Sequence, residues 1–383
     1  MPRLDFWAGM ASRTTFGGEA VQIPSDASGL TAGWLSDVLA AAPGGPFGPV
    51  AEVERQRIGE GVGVMSEIYR LAIRYAPDGR PGPATLVAKV PAGTAEARGL
   101  ANNYGFYEKE VAFYRDIAPT VSIAAPRCFG AAFDPESKLF VLLMEDMAAV
   151  TPGDQIVGLT ETQVRRAINE VAPLHARWWG DAGLPELEAV IPAHGQPPWD
   201  SVGRMHTAAW EIIAPWMKAR LSPEMMRVGE RLCTDLQGLM DRNGQGQRTL
   251  CHGDFRADNL MFTGDPADPG LTVLDWQILV QAPGAFDIGY LMSASVTPDV
   301  RRSQEMDLLA GYHAQLVAGG VEGYGFDECL EDYRRALLIG FTYAVQAGGF
   351  SNMEHARNAA LIHAMATRCE AACLDLGLAS MLN

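Results

Sequence analysis

The hydrophobic pattern of this chain is mainly strand-like up to Met147 and mainly helical beyond it. Between residues 50 and 144 the apolar positions alternate or run in short blocks: Val50 to Ile58, Ser66 to Tyr75, Ala84 to Val90, Pro126 to Phe133 and Leu139 to Met144. Their β-branched residues, and turn signals such as Pro77-Asp78-Gly79, predict strands. One helix, Tyr104 to Ile117, lies among them. Another, Thr31 to Ala42, precedes them, with Thr31 as N-cap and Pro43-Gly44-Gly45-Pro46 as its stop. Beyond Met147 the period becomes helical: Glu161 to Trp179, Trp199 to Trp216, Pro223 to Arg242, Arg301 to Ala318, Glu328 to Gln346 and Ala356 to Leu376. An apolar hairpin after His252 interrupts them. A chain of 383 residues is long for one core. The pattern therefore predicts an α+β protein with a small β-rich lobe followed by a large, mainly helical one. The expected divisions are a helical extension over 1–48, the small lobe over 49–147 and the large lobe over 148–383.

Composition narrows the function classes. With 48% hydrophobic and 20% charged residues the chain can bury an ordinary core. A formal charge of −16 argues against general nucleic-acid binding and against adsorption to anionic membranes. The six cysteines form no CxxC pair, so neither a zinc site nor a disulfide framework is expected. Reduced thiols, and an N-terminus whose polar breaks exclude a signal peptide, suggest the cytoplasm. No segment approaches a membrane span, and no obligate protein partner is evident.

Candidate chemistry is concentrated in His252-Gly253-Asp254-Phe255-Arg256-Ala257-Asp258-Asn259. A hairpin, Leu260 to Leu274 with its turn near Gly264-Asp265-Pro266, then delivers Asp275 in Leu274-Asp275-Trp276-Gln277. Phosphoryl transfer needs one carboxylate near the acceptor hydroxyl and oxygen ligands for a metal. Asp254 fits the catalytic base, Asn259 and Asp275 fit ligands of a hard Mg²⁺ ion, and His252 fits a brace for the loop. Asp287, in Phe286-Asp287-Ile288-Gly289-Tyr290, fits a hydrogen-bond partner of the loop backbone or a helix N-cap, and the two roles are compatible. His175 reads as a satisfied structural histidine.

The small lobe carries weaker signals. The glycine-rich turn from Ile58 to Ser66, with Gly61 and Gly63, fits backbone contact with phosphates and fits a plain hairpin turn equally. Lys89, in the strand pattern Leu86-Val87-Ala88-Lys89-Val90, either reaches solvent or finds an anion: phosphate oxygens and Glu110. Glu108 competes with Glu110, but apolar neighbours turn Glu110 inward. Five of the eight tryptophans fall between 178 and 216, a set that suits a pocket wall or core packing.

This ordered set resembles the aminoglycoside phosphotransferase and choline kinase superfamily, nearest its ecdysteroid-kinase-like group and bacterial relatives. The resemblance rests on Glu110-Val111-Ala112-Phe113-Tyr114, Leu143-Met144-Glu145-Asp146-Met147, Leu174-His175-Ala176-Arg177-Trp178, His252-Gly253-Asp254 with Asn259-Leu260-Met261-Phe262, Leu274-Asp275-Trp276-Gln277, and Phe286 to Tyr290. It implies a bilobal protein-kinase-like fold, ATP or GTP as donor, Mg²⁺, and a small-molecule hydroxyl acceptor. It implies that residues 49–147 bind the nucleotide and that a helical region over about 180–246 binds the acceptor. Lys89 would then contact phosphates while paired with Glu110, and Glu145 to Met147 would form the adenine hinge. Trp276-Gln277 replaces the Phe-Gly of protein kinases, and no activation segment with an Ala-Pro-Glu end is present, which points away from protein substrates. The expected activity is transfer of a γ-phosphate to a small-molecule alcohol, a larger apolar one being favoured over choline or an aminoglycoside. The alternative is a catalytically silent nucleotide-binding or scaffold protein of the same fold. The presence of Lys89, Asp254, Asn259 and Asp275 together speaks against it.

Overall fold

The computed structural model describes residues 15–16, 19–20, 22–59, 65–148 and 150–382. They fall into two compact units: the described residues up to Thr120 together with 125–148, and Val121–Ala124 together with 150–382.

The first unit is built on a five-stranded antiparallel sheet. Its strands are β1 (Gly48–Ile58), β2 (Ser66–Arg80), β3 (Thr85–Pro91), β4 (Cys128–Phe133) and β5 (Phe140–Glu145), in spatial order β1-β2-β3-β5-β4. Helix α1 (Ala32–Ala40) begins at Thr31, whose hydroxyl accepts from the Trp34 N–H at 3.2 Å. Its Trp34, Leu35, Val38 and Leu39 join Val50, Leu71, Leu86, Val90, Val141 and Leu143 in one buried cluster. Each such side chain contributes roughly 1.5–3 kcal/mol of burial, which holds α1 on the sheet. The turn expected at Pro77-Asp78-Gly79 is corrected: β2 runs through it to Arg80. There β2 bulges, pairing Tyr75 with Val50 and then Arg80 with Gly48. A bulge leaves residues outside the ladder, so the missing N–H of Pro77 costs nothing. Helices α2 (Ala95–Asn103) and α3 (Phe106–Ala112) follow, separated by Gly105 at φ 65°, and α3 continues as a π turn to Ile117.

The second unit is mainly helical. Its long helices are α4 (Glu161–Trp178), α5 (Val202–Lys218), α6 (Pro223–Gly244), α7 (Ala285–Ser295), α8 (Pro298–Ala318), α9 (Phe326–Phe350) and α10 (Ala356–Leu376). Between α6 and α7 lie the antiparallel pair β6 (Thr249–Cys251) and β9 (Val280–Ala282), and the hairpin β7 (Leu260–Asp265) and β8 (Asp268–Val273). Arg368 on α10 is buried and donates to the carbonyls of Gln155, Ile156 and Ala294 at 2.5–2.9 Å. It thereby ties the segment before α4 to the end of α7. Among the described residues, no helix is long and apolar enough to cross a membrane. All six cysteines are free thiols.

Tryptophans of this unit go largely to its core. Trp178, Trp199 and Trp210 are buried, and Trp210 packs so closely on α6 that a Cβ at Gly229 would sit 2.2 Å from its ring. His206 is stacked on Trp210 and fully buried, with Nε2 donating to the Gly229 carbonyl at 3.2 Å. Burial pushes its pKa down to about 4, the hydrogen bond to Gly229 opposing. The unfolded chain therefore takes up a proton near pH 6.5 that the folded chain refuses until about pH 4. The contribution of His206 to stability is complete above pH 6.5 and falls as pH drops to about 4, by roughly 3 kcal/mol. Chemical denaturation of His206→Met at pH 7 and pH 4.5 is expected to show a shallower loss than the wild type.

Candidate active site

The loop that carries Asp254 begins where β6 ends. Gly253 takes φ 82°, and a Cβ there would lie 2.1 Å from the Ile278 carbonyl oxygen, so only glycine fits this turn. The backbone N–H groups of His252 and Gly253 donate to the two oxygens of Asp287 at 2.7 and 3.0 Å. Asp287 sits in the first turn of α7, where the helix N-terminus favours its negative charge. Its N-cap reading is corrected: the cap position is Gly284. His175, fully buried, bridges Asp287 at 3.2 Å and the Tyr312 hydroxyl at 2.9 Å, as a structural histidine should.

Two further bonds fasten the hairpin to this loop. The His252 ring donates from Nε2 to the Leu274 carbonyl at 2.8 Å, and its Nδ1 accepts from the Asp254 N–H at 3.2 Å. The Leu274 N–H in turn donates to the Asn259 carbonyl at 2.8 Å. Both polar backbone groups of Leu274 are therefore held by the loop, and the next residue is Asp275. Asp275 has φ 64°, a left-handed conformation uncommon outside glycine and asparagine, and accepts from Gln277 Nε2 at 3.2 Å. Trp276 is completely buried beside the His252 ring and anchors the turn through Nε1 to the Val273 carbonyl at 3.1 Å.

Asp254 itself is 7% exposed and surrounded by donors. Its Oδ1 accepts from the Tyr290 hydroxyl at 3.0 Å, and its Oδ2 from Asn259 Nδ2 at 3.0 Å. Arg256 Nε lies across both oxygens at 3.1 and 3.0 Å. Arg256 Nη1 reaches Gln155 Oε1 at 2.7 Å and Asp258 Oδ2 at 3.1 Å. Burial disfavours the guanidinium charge, but Asp254, Tyr290 and Asp258 outweigh it and raise its pKa. Burial, reinforced by Asp254, holds the Tyr290 phenol well above its ordinary pKa, so it remains a donor. Tyr343, from α9, packs with its ring tilted 32° and centred 4.3 Å from that of Tyr290, and donates to the Gly253 carbonyl at 3.1 Å.

In the first unit, Lys89 and Glu110 are both buried and paired, Nζ to Oε2 at 2.7 Å. Glu108 is half-buried, and burial raises its pKa. Glu145 ends β5, its N–H donating to the Arg127 carbonyl at 2.9 Å, and Met147 is partly exposed two residues on. Gly61 and Gly63 lie outside the described residues.

Arg256, Tyr290, Tyr343 and Gln155 join the network around Asp254, and the sequence does not single them out. Tyr290 had a signal, because it stands three residues after Asp287 and so shares its helix face. Arg256 lies two residues from Asp254 and could have been found by asking what pairs with a buried carboxylate. Gln155 and Tyr343 carry no local signal.

None of the curated proteins matches this chain. Among solved structures it is similar to a protein from Ralstonia eutropha JMP134 provisionally assigned as an aminoglycoside phosphotransferase, with TM-score 0.54, 16% identity, and coverage of 94% of this chain and 99% of that one. It is also similar to the Plasmodium vivax ethanolamine kinase, with TM-score 0.51, 12% identity and coverage of 85% and 82%. The GDP complex of a point mutant of an aminoglycoside 2′-phosphotransferase of type IIIa gives TM-score 0.51, 14% identity and coverage of 86% and 94%. These likenesses show a protein-kinase-like α+β fold with a small β-rich part and a large helical one. The model of the ecdysteroid kinase-like family matches residues 60–177 and 201–320, well over half of the sequence. The chain belongs to the ecdysteroid kinase-like family.

Proposed function

We propose that this protein is a phosphotransferase that moves the γ-phosphate of ATP or GTP to a hydroxyl group of a small molecule. The observation that carries the reading is the bonded frame around Asp254. His252 and Asn259 bind the two backbone groups of Leu274, so the positions of Asp254, Asn259 and Asp275 are fixed by one hydrogen-bond network. The family's name and the GDP complex of a similarly folded phosphotransferase support a nucleotide donor.

In this reading the acceptor oxygen bonds to the γ-phosphorus as the bridge to the β-phosphate breaks, and the nucleoside diphosphate leaves with the electron pair. Asp254 orients the hydroxyl and receives its proton. Lys89, fixed by Glu110, contacts donor phosphates, and the segment from Glu145 to Met147 meets the adenine edge. The donor set also fits Mg²⁺. Asn259 spends its Nδ2 on Asp254, which leaves Oδ1 as its ligand atom, and Asp275 adds a carboxylate. When bound, the metal neutralises phosphate charge. The free thiols suit a cytoplasmic setting. A larger apolar alcohol remains the favoured acceptor: of the five clustered tryptophans Trp178, Trp199 and Trp210 belong to the core, and Trp179 and Trp216 are partly exposed.

Mg-ATP or Mg-GTP is expected to raise the melting temperature, and a panel of hydroxylated compounds to elicit nucleoside diphosphate release. Lys89→Met should weaken the thermal shift. Binding without turnover on any acceptor would point to a silent kinase-fold protein instead. Absence of Mg-dependent nucleotide binding would refute both.

A further inference from the structure

Arg256 occupies the place on Asp254 that a substrate hydroxyl would have to take. A carboxylate offers about four lone-pair directions. Tyr290 and Asn259 take one on each oxygen, and Arg256 Nε bridges the two that face each other. A hydroxyl can reach Asp254 only if one donor gives way. Tyr290 and Asn259 are 2% and 5% exposed, so moving either would bury an unpaired polar group. The Arg256 side chain is 21% exposed and has a second berth on Gln155 and Asp258 through Nη1. It is the donor that can leave without being stranded.

We infer that Arg256 is a displaceable seal on the catalytic carboxylate: it covers Asp254 until an acceptor hydroxyl displaces Nε, and so keeps water from being oriented there in the acceptor's place. This rests on the phosphotransferase reading and deepens it. The reaction held back is hydrolysis. A water oxygen would bond to the γ-phosphorus, the bridge to the β-phosphate would break, and the nucleoside diphosphate would leave with the electron pair. One water proton would pass through Asp254 to solvent. As a seal, Arg256 is a positioning residue, and its removal should increase a rate, which structural damage does not do.

The test needs no knowledge of the acceptor. Wild type, Arg256→Ala and Arg256→Lys are compared for Mg-ATP and Mg-GTP binding by thermal shift, and for hydrolysis with no acceptor present. Arg256→Ala is expected to raise acceptor-independent hydrolysis about tenfold or more. Arg256→Lys keeps a cation in the buried site and should fold if the alanine variant does not. Lysine lacks the Nη1 contacts to Gln155 and Asp258, so it covers Asp254 less firmly, and a smaller rise, about two- to threefold, is expected. Adding Asp254→Asn to either variant should return the rate to the wild-type level. Hydrolysis that is unchanged or lowered in the folded variants, with nucleotide still bound, would overturn the seal and leave the phosphotransferase reading standing. Failure of the wild type to bind nucleotide would refute that reading first, and the seal with it.

Discussion

Asp254→Asn is expected to reduce phosphoryl transfer by about 10²–10⁴-fold while costing little stability. The asparagine side chain has the same shape but cannot take the acceptor's proton. It can also satisfy its surroundings. Its Oδ1 still accepts from Asn259 and Arg256, its Nδ2 turns toward the Tyr290 hydroxyl, which can accept as well as donate, and Arg256 Nε gives up only the second of its two contacts. Arg256 keeps Asp258 and Gln155 as partners. Single-turnover product release, measured beside melting curves with and without Mg-nucleotide, separates these effects. Loss of transfer with nucleotide binding intact would assign Asp254 to the chemistry. A variant that retains more than a tenth of wild-type transfer would remove it from that role.

Asp287→Ala is expected to have the largest effect on stability, about 3–5 kcal/mol. Asp287 has no exposed surface, and its two oxygens satisfy the His252 and Gly253 N–H groups and the His175 ring. Alanine leaves all three without an acceptor in a dry site. The loop bearing Asp254 then loses the contacts that shape it, so transfer should fall as well. Asp287→Asn keeps one carboxamide oxygen for a backbone N–H and should lie between. Denaturant midpoints of the three proteins check the order. An alanine variant as stable as the wild type would mean that the loop is held by other contacts.

Which parts of this molecule were legible follows from how each segment meets water. The strands and the long helices of the second unit have one face buried and one wet, so their period is written in the sequence. Helix α7 is buried at every position, from Ala285 to Ser295, and shows no stripe. Helix α2 buries only Ala101 and shows almost none. The bulge at Pro77 to Gly79 reads as a turn because its residues are turn formers, and tertiary pairing with β1 overrides them. At the candidate site, Asp254, Asn259 and Asp275 share one short stretch, so spacing pointed to them. Gln155 reaches Arg256 across 101 residues, and no local pattern encodes such a meeting.

Arg368 adds a consequence for biosynthesis. Gln155, which berths Arg256, has its own carbonyl held by Arg368, more than two hundred residues later in the chain. During translation the helix carrying Arg368 emerges last among these parts. The segment before α4 and the end of α7 must wait for it, although both were synthesised earlier. The nascent chain can fold its β-rich unit early, but the loop bearing Asp254 gains the support that Gln155 gives Arg256 only when Arg368 has left the ribosome. A chain assembled in this order does not complete the frame around Asp254 while its later helices are still missing.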